Sequence, residues 1–421
     1  MARLLVIYLA VVSLIATVHA ANVPATPGTE PSDGKDINMP ANNSFAADLY
    51  TRLAAGSPAG RGNLFFSPYS IRTALVMTYA GARGRTAEQM AGVLHLPAGP
   101  ADQLNKSFAS LIQQMNAKHD DYQLAVANAL WGQSGYGFRD DFKAILRDDY
   151  GAALQEVDFA HHAEQVRGQI NQWAERATHD KIKDLVPPGV LTPATRLVLA
   201  NAIYFKGAWQ WPFHTSATRD EPFHLDASHD AKVPMMHHGQ QTWGYTETPQ
   251  LQAVELPYQG RDVSMVLVVP KAVDGLGEIE KWISGQTLAQ WQSSLRPQLV
   301  VLTMPKFTMT SAFRLAEVLG AMGMKDAFDA SRADFSAMVT PQQQKTEPPY
   351  ISEVIHKAFV AADEAGTEAA AATAVMVAAG AARMEMPKPV AVIADRPFLF
   401  YIYHRPSGTV LFLGRVSDPR G

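Results

Sequence analysis

The stretch Asp363-Glu364-Ala365-Gly366-Thr367-Glu368-Ala369-Ala370-Ala371-Ala372-Thr373 constrains the fold of this chain more than any other. It lies between two runs whose β-branched and aromatic residues read as strands, 350–360 and 390–404. Composition alone would make 361–382 a low-complexity linker or a surface helix, since alanine is the best helix former. Flanked by strands this near the end of the chain, however, it does not join two domains, and it reads as a long exposed loop on one. Gly366 supplies a backbone joint, and the Ala and Thr side chains are small enough to enter a packed sheet. When extended, the chain puts Thr367, Ala369, Ala371, Thr373, Val375 and Val377 on one face and Glu368, Ala370, Ala372, Ala374 and Met376 on the other. A segment with helical propensity and a strand-compatible pattern suits two conformations.

A chain of 421 residues exceeds the usual size of one domain, yet no interior linker divides it. Its 47% apolar and 18% charged residues provide for a large core. A net charge of −4 with scattered Lys and Arg argues against a nucleic-acid partner or a polybasic membrane surface. Arg3, the apolar run over 4–17 and Val18-His19-Ala20 have the anatomy of a signal peptide cleaved after Ala20. The run is short of the roughly 20 residues that span a bilayer, which favours export over anchoring. Residues 21–41, rich in Pro, Gly, Ser and Asp, read as a disordered leader. The absence of cysteine excludes disulfides and thiol catalysis.

Helical spacing appears at 45–53, 70–77, 87–94, 162–177 and 313–320, and strand character at 122–131, 196–205, 253–256, 263–269 and 299–303. That order is α+β rather than a regular βαβ alternation. Gly-x-Ser-x-Gly, Gly-x-x-x-x-Gly-Lys and His-Glu-x-x-His are all absent. His161-His162, His237-His238, His224 and His229 are the best metal candidates. Adjacent histidines on a strand face opposite ways and no carboxylate stands at a ligand spacing, so no metal site and no cofactor is expected.

Between about Asn42 and Pro419 five blocks follow one another in a distinctive order. These are Asn63-Leu64-Phe65-Phe66-Ser67-Pro68-Tyr69-Ser70-Ile71; Thr86-Ala87-Glu88-Gln89-Met90; the set Ile170-Asn171-Gln172-Trp173, Lys181-Ile182-Lys183-Asp184-Leu185 and Leu199 through Trp209; the hinge over 363–373; and Ala394-Asp395-Arg396-Pro397-Phe398. In these blocks, taken in this order, the chain resembles the serpins from about Asn42 to Pro419, and the resemblance implies a single domain over 42–419 with a large central sheet, two smaller sheets, surrounding helices and an exposed reactive-centre loop over about 363–390. It implies a non-enzymatic suicide inhibitor of serine proteases that acts as a monomer: the target attacks the loop, forms an acyl-enzyme and is trapped as the cleaved loop inserts into the sheet. The hinge would comprise Glu364, Gly366, Thr367, Glu368, Ala369, Ala370, Ala371, Ala372 and Thr373. Ser67, Ser70, Asn201 and His356 match the polar cluster beneath the sheet, and Trp209 the point where insertion begins.

The scissile bond is open between two family intervals. Counting from Gly366 gives Gly380-Ala381; counting back from Pro397-Phe398 gives Arg383-Met384. Arg383 would suit a trypsin-like pocket. Residues 378–381 suit elastase- or subtilisin-like proteases and are favoured, because residues added before the cut would slacken the tether by roughly 3.3 Å each and distort a captured protease less. A non-inhibitory binding or chaperone-like serpin, or a simple protease substrate, are the alternatives, and the small hinge residues favour inhibition. The helical stretch 102–118 carries only Lys106 and Lys118, too few cations for glycosaminoglycan activation. Periplasm and extracellular medium are both compatible with export.

Overall fold

Helices and strands alternate irregularly, as an α+β fold requires. The structure, a computed structural model, describes residues 39–56, 62–98, 101–116, 121–367 and 388–421. In chain order the strands are β1 Leu64–Phe66, β2 Tyr122–Gln133, β3 Leu154–Val157, β4 Leu197–Ala208, β5 Arg219–His224, β6 Asp230–Glu247, β7 Leu251–Pro257 and β8 Val263–Pro270. There follow β9 Arg296–Pro305, β10 Phe307–Arg314, β11 Glu353–Ala362, β12 Gly366–Thr367, β13 Val390–Ile393, β14 Phe398–His404 and β15 Thr409–Val416.

The central sheet has six strands in the order β10-β11-β12-β4-β2-β3. Its middle strand β4 is an almost unbroken apolar run because it is covered on both faces, and most of its residues are buried. β4 pairs antiparallel with β2 and parallel with β11, from Glu353↔Val198 to Phe359↔Tyr204. The other strands form a nine-stranded sheet, because β6 pairs β5 from Asp230 to Met235, β9 from Met235 to Tyr245 and β7 from Gly244 to Glu247. The two smaller sheets expected from the sequence are thus hydrogen-bonded through this 18-residue strand, whose register shifts between His238 and Gln241.

Beneath the central sheet runs the helix Pro68–Tyr79, with every residue from Pro68 to Thr78 buried. Ser67 starts it, its Oγ accepting from the Ser70 N–H at 3.1 Å, with Pro68 following where no N–H is required. The helix Met39–Gly56 packs on this layer and begins within the segment read as leader.

Three boundaries differ from expectation. Phe313 and Arg314 belong to β10, where Phe313 pairs with His356, and the helix begins only at Ala316. The strand expected from Tyr350 starts at Glu353. His161 and His162 lie on the helix Phe159–Ala177, whose backbone departs from helical angles at His162. Residues 1–38, and with them the signal and most of the leader, lie outside the described residues, as do Glu368, Ala369, Ala370, Ala371, Ala372, Thr373, Gly380, Ala381, Arg383 and Met384. Among the described residues no helix is long and apolar enough to cross a membrane, and no three His, Asp or Glu side chains gather as a metal site.

Candidate functional site

Gly366 and Thr367, near the start of the hinge, are paired within the sheet. Beyond the parallel β4–β11 pairing, β12 stands between the ends of both strands: Thr367 pairs with Ala362 of β11 and with Gly207 of β4, and Gly366 pairs with Ala208. Both contacts are antiparallel, so the incoming strand runs opposite to its neighbours. Asp363 makes the reversal, its carboxylate accepting from the N–H groups of Ala365 (2.8 Å) and Gly366 (3.2 Å) while its own N–H donates to the Gly366 carbonyl at 2.9 Å. Gly366 has φ +156°, and a Cβ there would lie 2.1 Å from the carbonyl oxygen of Gly207. Only glycine permits that approach.

Trp209 caps this entrance. Its backbone N–H donates to Ala365 O and its indole N–H to Asp363 O, each at 2.9 Å. Its ring stacks on Tyr258, with centroids 4.6 Å apart and planes 16° from parallel, and Phe205 meets Tyr258 edge-on. The Tyr258 hydroxyl lies 2.7 Å from the Thr367 hydroxyl in a fully buried contact. Burial drives the Tyr258 phenol well above its ordinary pKa, so it stays protonated. Glu364 anchors the other side: Thr218 Oγ1 donates to it at 2.7 Å and Lys306 Nζ lies 2.8 Å away. Burial alone would raise the Glu364 carboxyl, but the hydrogen bonds from Lys306 and Thr218 outweigh it and hold the group below the usual carboxylate range.

The second site lies where β4 and β11 cross the buried helix. The structure brings Ser67, Ser70, Asn201 and His356 into one network, each fully buried. His356 Nε2 accepts from the Ser67 N–H at 3.2 Å, which leaves Nδ1 to donate to Asn201 Oδ1. Asn201 Nδ2 donates to Ser70 Oγ and to Asn128 Oδ1, and Ser70 Oγ donates to Asn128 at 3.3 Å. Ser67 Oγ donates to the Leu411 carbonyl at 2.6 Å. Burial pushes the His356 imidazole down to about 3, in keeping with a neutral ring of one tautomer. Asn201 and His356 stand directly opposite each other in the β4–β11 register, so parting the strands breaks their bond. A buried network of this kind must re-form in any rearranged state.

Sequence reasoning missed Asn128, Tyr258, Thr218 and Lys306. Asn128 is a polar residue inside the apolar strand run 122–131, which is a usable signal. The others come from separate segments and meet only through the fold.

The chain matches the family described as Serpin (serine protease inhibitor) over residues 40–419. It is 40% identical to the leukocyte elastase inhibitor of Sus scrofa over 387 residues, which are 90% of this chain and 98% of that protein. An uncharacterized serpin-like protein of Thermococcus kodakarensis is also 40% identical, across 90% of this chain and 85% of its own length. Among solved structures, Serpin48 of the insect Tenebrio molitor superposes with a TM-score of 0.79 at 31% identity, covering 91% of this chain and 98% of that one.

Proposed function

The chain belongs to the serpin family, and from that premise we propose that it inhibits serine endopeptidases by a suicide mechanism in which its own loop is the bait. The target's serine attacks a loop carbonyl, the peptide bond breaks, the new amine leaves with the C-terminal segment, and the protease remains esterified to the loop. The freed loop then continues from Thr367 between β4 and β11, exchanging one parallel ladder for two antiparallel ones and carrying the protease with it. The observation that carries this reading is the buried seat of Thr367 between those two strands, beneath Trp209. Ser67, Ser70, Asn201 and His356 act as the shutter that must open ahead of the strand.

The target and the bond are finer proposals. We take Gly380-Ala381 as the reactive bond, with Arg383-Met384 as the alternative, and elastase-like proteases as targets. Small residues across 378–381 and the name of the Sus scrofa relative support that choice. A subtilisin-like protease would accept the same residues. The domain is taken as 42–419, acting as a monomer after export, on the strength of the n-region and apolar run ahead of Ala20.

The test is to incubate the mature protein with an elastase, a subtilisin and a trypsin, run denaturing gels and weigh the released C-terminal peptide. A denaturant-resistant complex with a peptide beginning at Ala381 supports the favoured bond; one beginning at Met384 moves it to Arg383. Cleavage by all three without any complex overturns inhibition of these protease classes.

A further inference from the structure

We propose that His238 is a positioning residue for loop entry: its ring, wedged between Phe213 and Trp243, holds in place a backbone clasp on the root of the hinge, and acid opens that clasp. Its bearing on inhibition rests on the function proposed above, whereas the clasp itself does not. The root of the hinge is held by main-chain bonds from the segment 209–218, which follows β4. The Trp209 N–H donates to Ala365 O at 2.9 Å and the Phe213 N–H to Glu364 O at 2.8 Å. Glu364 and Ala365 immediately precede the paired residues Gly366 and Thr367, so whatever fixes Phe213 also fixes the point at which the chain enters the sheet.

Phe213 is the one buried residue of the run 211–216 and therefore its apolar anchor. Its ring meets that of His238 edge-on, with centroids 5.4 Å apart and planes at 88°. His238 in turn meets Trp243 at 5.2 Å and 77°, and Trp243 meets Trp211, back on the same segment, at 5.2 Å and 87°. The segment is thus gripped at two points, with His238 and Trp243 of β6 as the jaw. Five positions apart on a regular strand, these two would face opposite ways; the register shift between His238 and Gln241 brings them to one side. The Trp243 indole N–H is buried with no hydrogen-bond partner among the described residues, so ring contacts rather than a polar bond orient it. Arg261 ends the row, its guanidinium carbon 5.5 Å from the Trp211 ring centroid.

His238 Nδ1 donates to the Gly239 carbonyl at 3.0 Å, which commits the neutral ring to one tautomer. A neutral imidazole packs between two aromatic rings at little cost, whereas an imidazolium there must shed water without gaining a counter-charge. Burial holds His238 below its ordinary pKa, outweighing the Gly239 carbonyl, which favours the proton; the neighbouring His214 adds to the lowering. No carboxylate is among the described groups that act on the ring. His237, next along β6, is engaged elsewhere, with Thr303 Oγ1 at 3.1 Å and Glu221 Oε2 at 3.2 Å. With the clasp closed the His238 ring therefore stays neutral where a free imidazole is protonated. With the clasp open, the ring regains the ordinary value of about 6.5. Opening is thus coupled to proton uptake: below about pH 6.5 acid favours the open clasp, and above it the clasp stays shut.

The experiment is hydrogen–deuterium exchange of the uncleaved mature protein at about pH 5.5 and 7.5, corrected for the intrinsic effect of pH and read at the amides of 209–218. Wild type, His238→Phe and His238→Ala are compared. Wild-type exchange at Phe213 is expected to be roughly tenfold faster in the acid sample, the limit set by one proton taken up at the ordinary imidazole value. His238→Phe keeps a ring in the wedge and cannot take a proton, so it should exchange slowly in both samples. His238→Ala removes the wedge and should exchange fast in both. A wild type indifferent to pH, a Phe variant that keeps the acid acceleration, or an Ala variant as slow as wild type at the higher pH would each overturn the clasp. The Phe variant preserves the packing, so the test stands even if the Ala variant does not fold. The number of inhibitor molecules consumed per elastase trapped should rise in the Ala variant and return to the wild-type value in the Phe variant. An Ala variant that exchanges fast yet traps as efficiently as wild type would overturn the role in loop entry. A wild type that forms no complex counts against inhibition and not against the clasp, which exchange alone decides.

Discussion

The hydroxyl of Thr367 sits 2.7 Å from that of Tyr258, both residues fully buried, so the first residue of the loop to enter the sheet is already hydrogen-bonded to the floor of its slot. A side chain at this position must be small and must satisfy, or at least not disturb, that phenol. Thr367→Arg would drive a guanidinium into a fully buried site, at a cost of several kcal/mol. The expected outcome is a loop that is cut but does not insert: gels should show cleaved inhibitor and free protease in place of complex. Undiminished complex formation would refute insertion at this register.

Gly366→Ala tests the entrance itself. With a Cβ pointing at the Gly207 carbonyl from 2.1 Å, β12 has no room to remain paired and should leave the sheet. Trp209 would lose its bond to the Asp363 carbonyl, and its fluorescence should change. The same substitution placed on a Trp209→Phe background should show no such change.

In the shutter, Asn201→Ala takes a partner from three groups at once: His356 Nδ1 is left without its acceptor, and Ser70 and Asn128 keep only the 3.3 Å bond between them. At about 1–3 kcal/mol for each orphaned group, the loss should be plain as a lower Tm of the uncleaved form. Spontaneous loop insertion should also quicken, because the β4–β11 contact loses the side-chain bond between two residues that face each other in the register.

His356 gives the stability of the fold a dependence on pH. The folded protein keeps the ring neutral down to about pH 3, whereas the unfolded chain takes up a proton below about 6.5. Its contribution to stability is therefore complete above pH 6.5 and declines as pH falls toward 3, by up to about 1.4 kcal/mol per pH unit. Urea midpoints of wild type should drop between pH 6.5 and 4.5. His356→Asn should flatten that slope by close to one proton.

Cleavage of the loop should raise the Tm sharply, since the inserted segment adds ladder bonds on both sides beyond those that β12 makes. Differential scanning calorimetry of the cleaved and intact forms decides it. A cleaved form no more heat-resistant than the intact one would mean that the loop stays outside.

What was legible in the chain follows from where burial is two-sided. β4, β8 and β14 are covered on both faces, so their apolar runs survive inspection without any partner in view. Phe313-Arg314-Leu315-Ala316 has helical spacing, and only the pairing of Phe313 with His356 extends β10 through it, an override that local pattern does not carry. The shutter residues were reached through family resemblance, since a buried Ser or Asn looks like any other polar residue until its partners converge. Tyr258 and Lys306 could not be assigned at all: their roles exist only because β12 brings Thr367 and Glu364 to them.

The parallel contact from Glu353 to Phe359 against β4 is also a statement about supply. A strand that replaces one ladder with two has no route back, so each molecule carries a single charge, like a fuse. Protection then depends on how many intact copies stand in the path of a protease and how long they keep. Resistance to self-insertion is therefore as much a part of this molecule's capacity as its speed of attack.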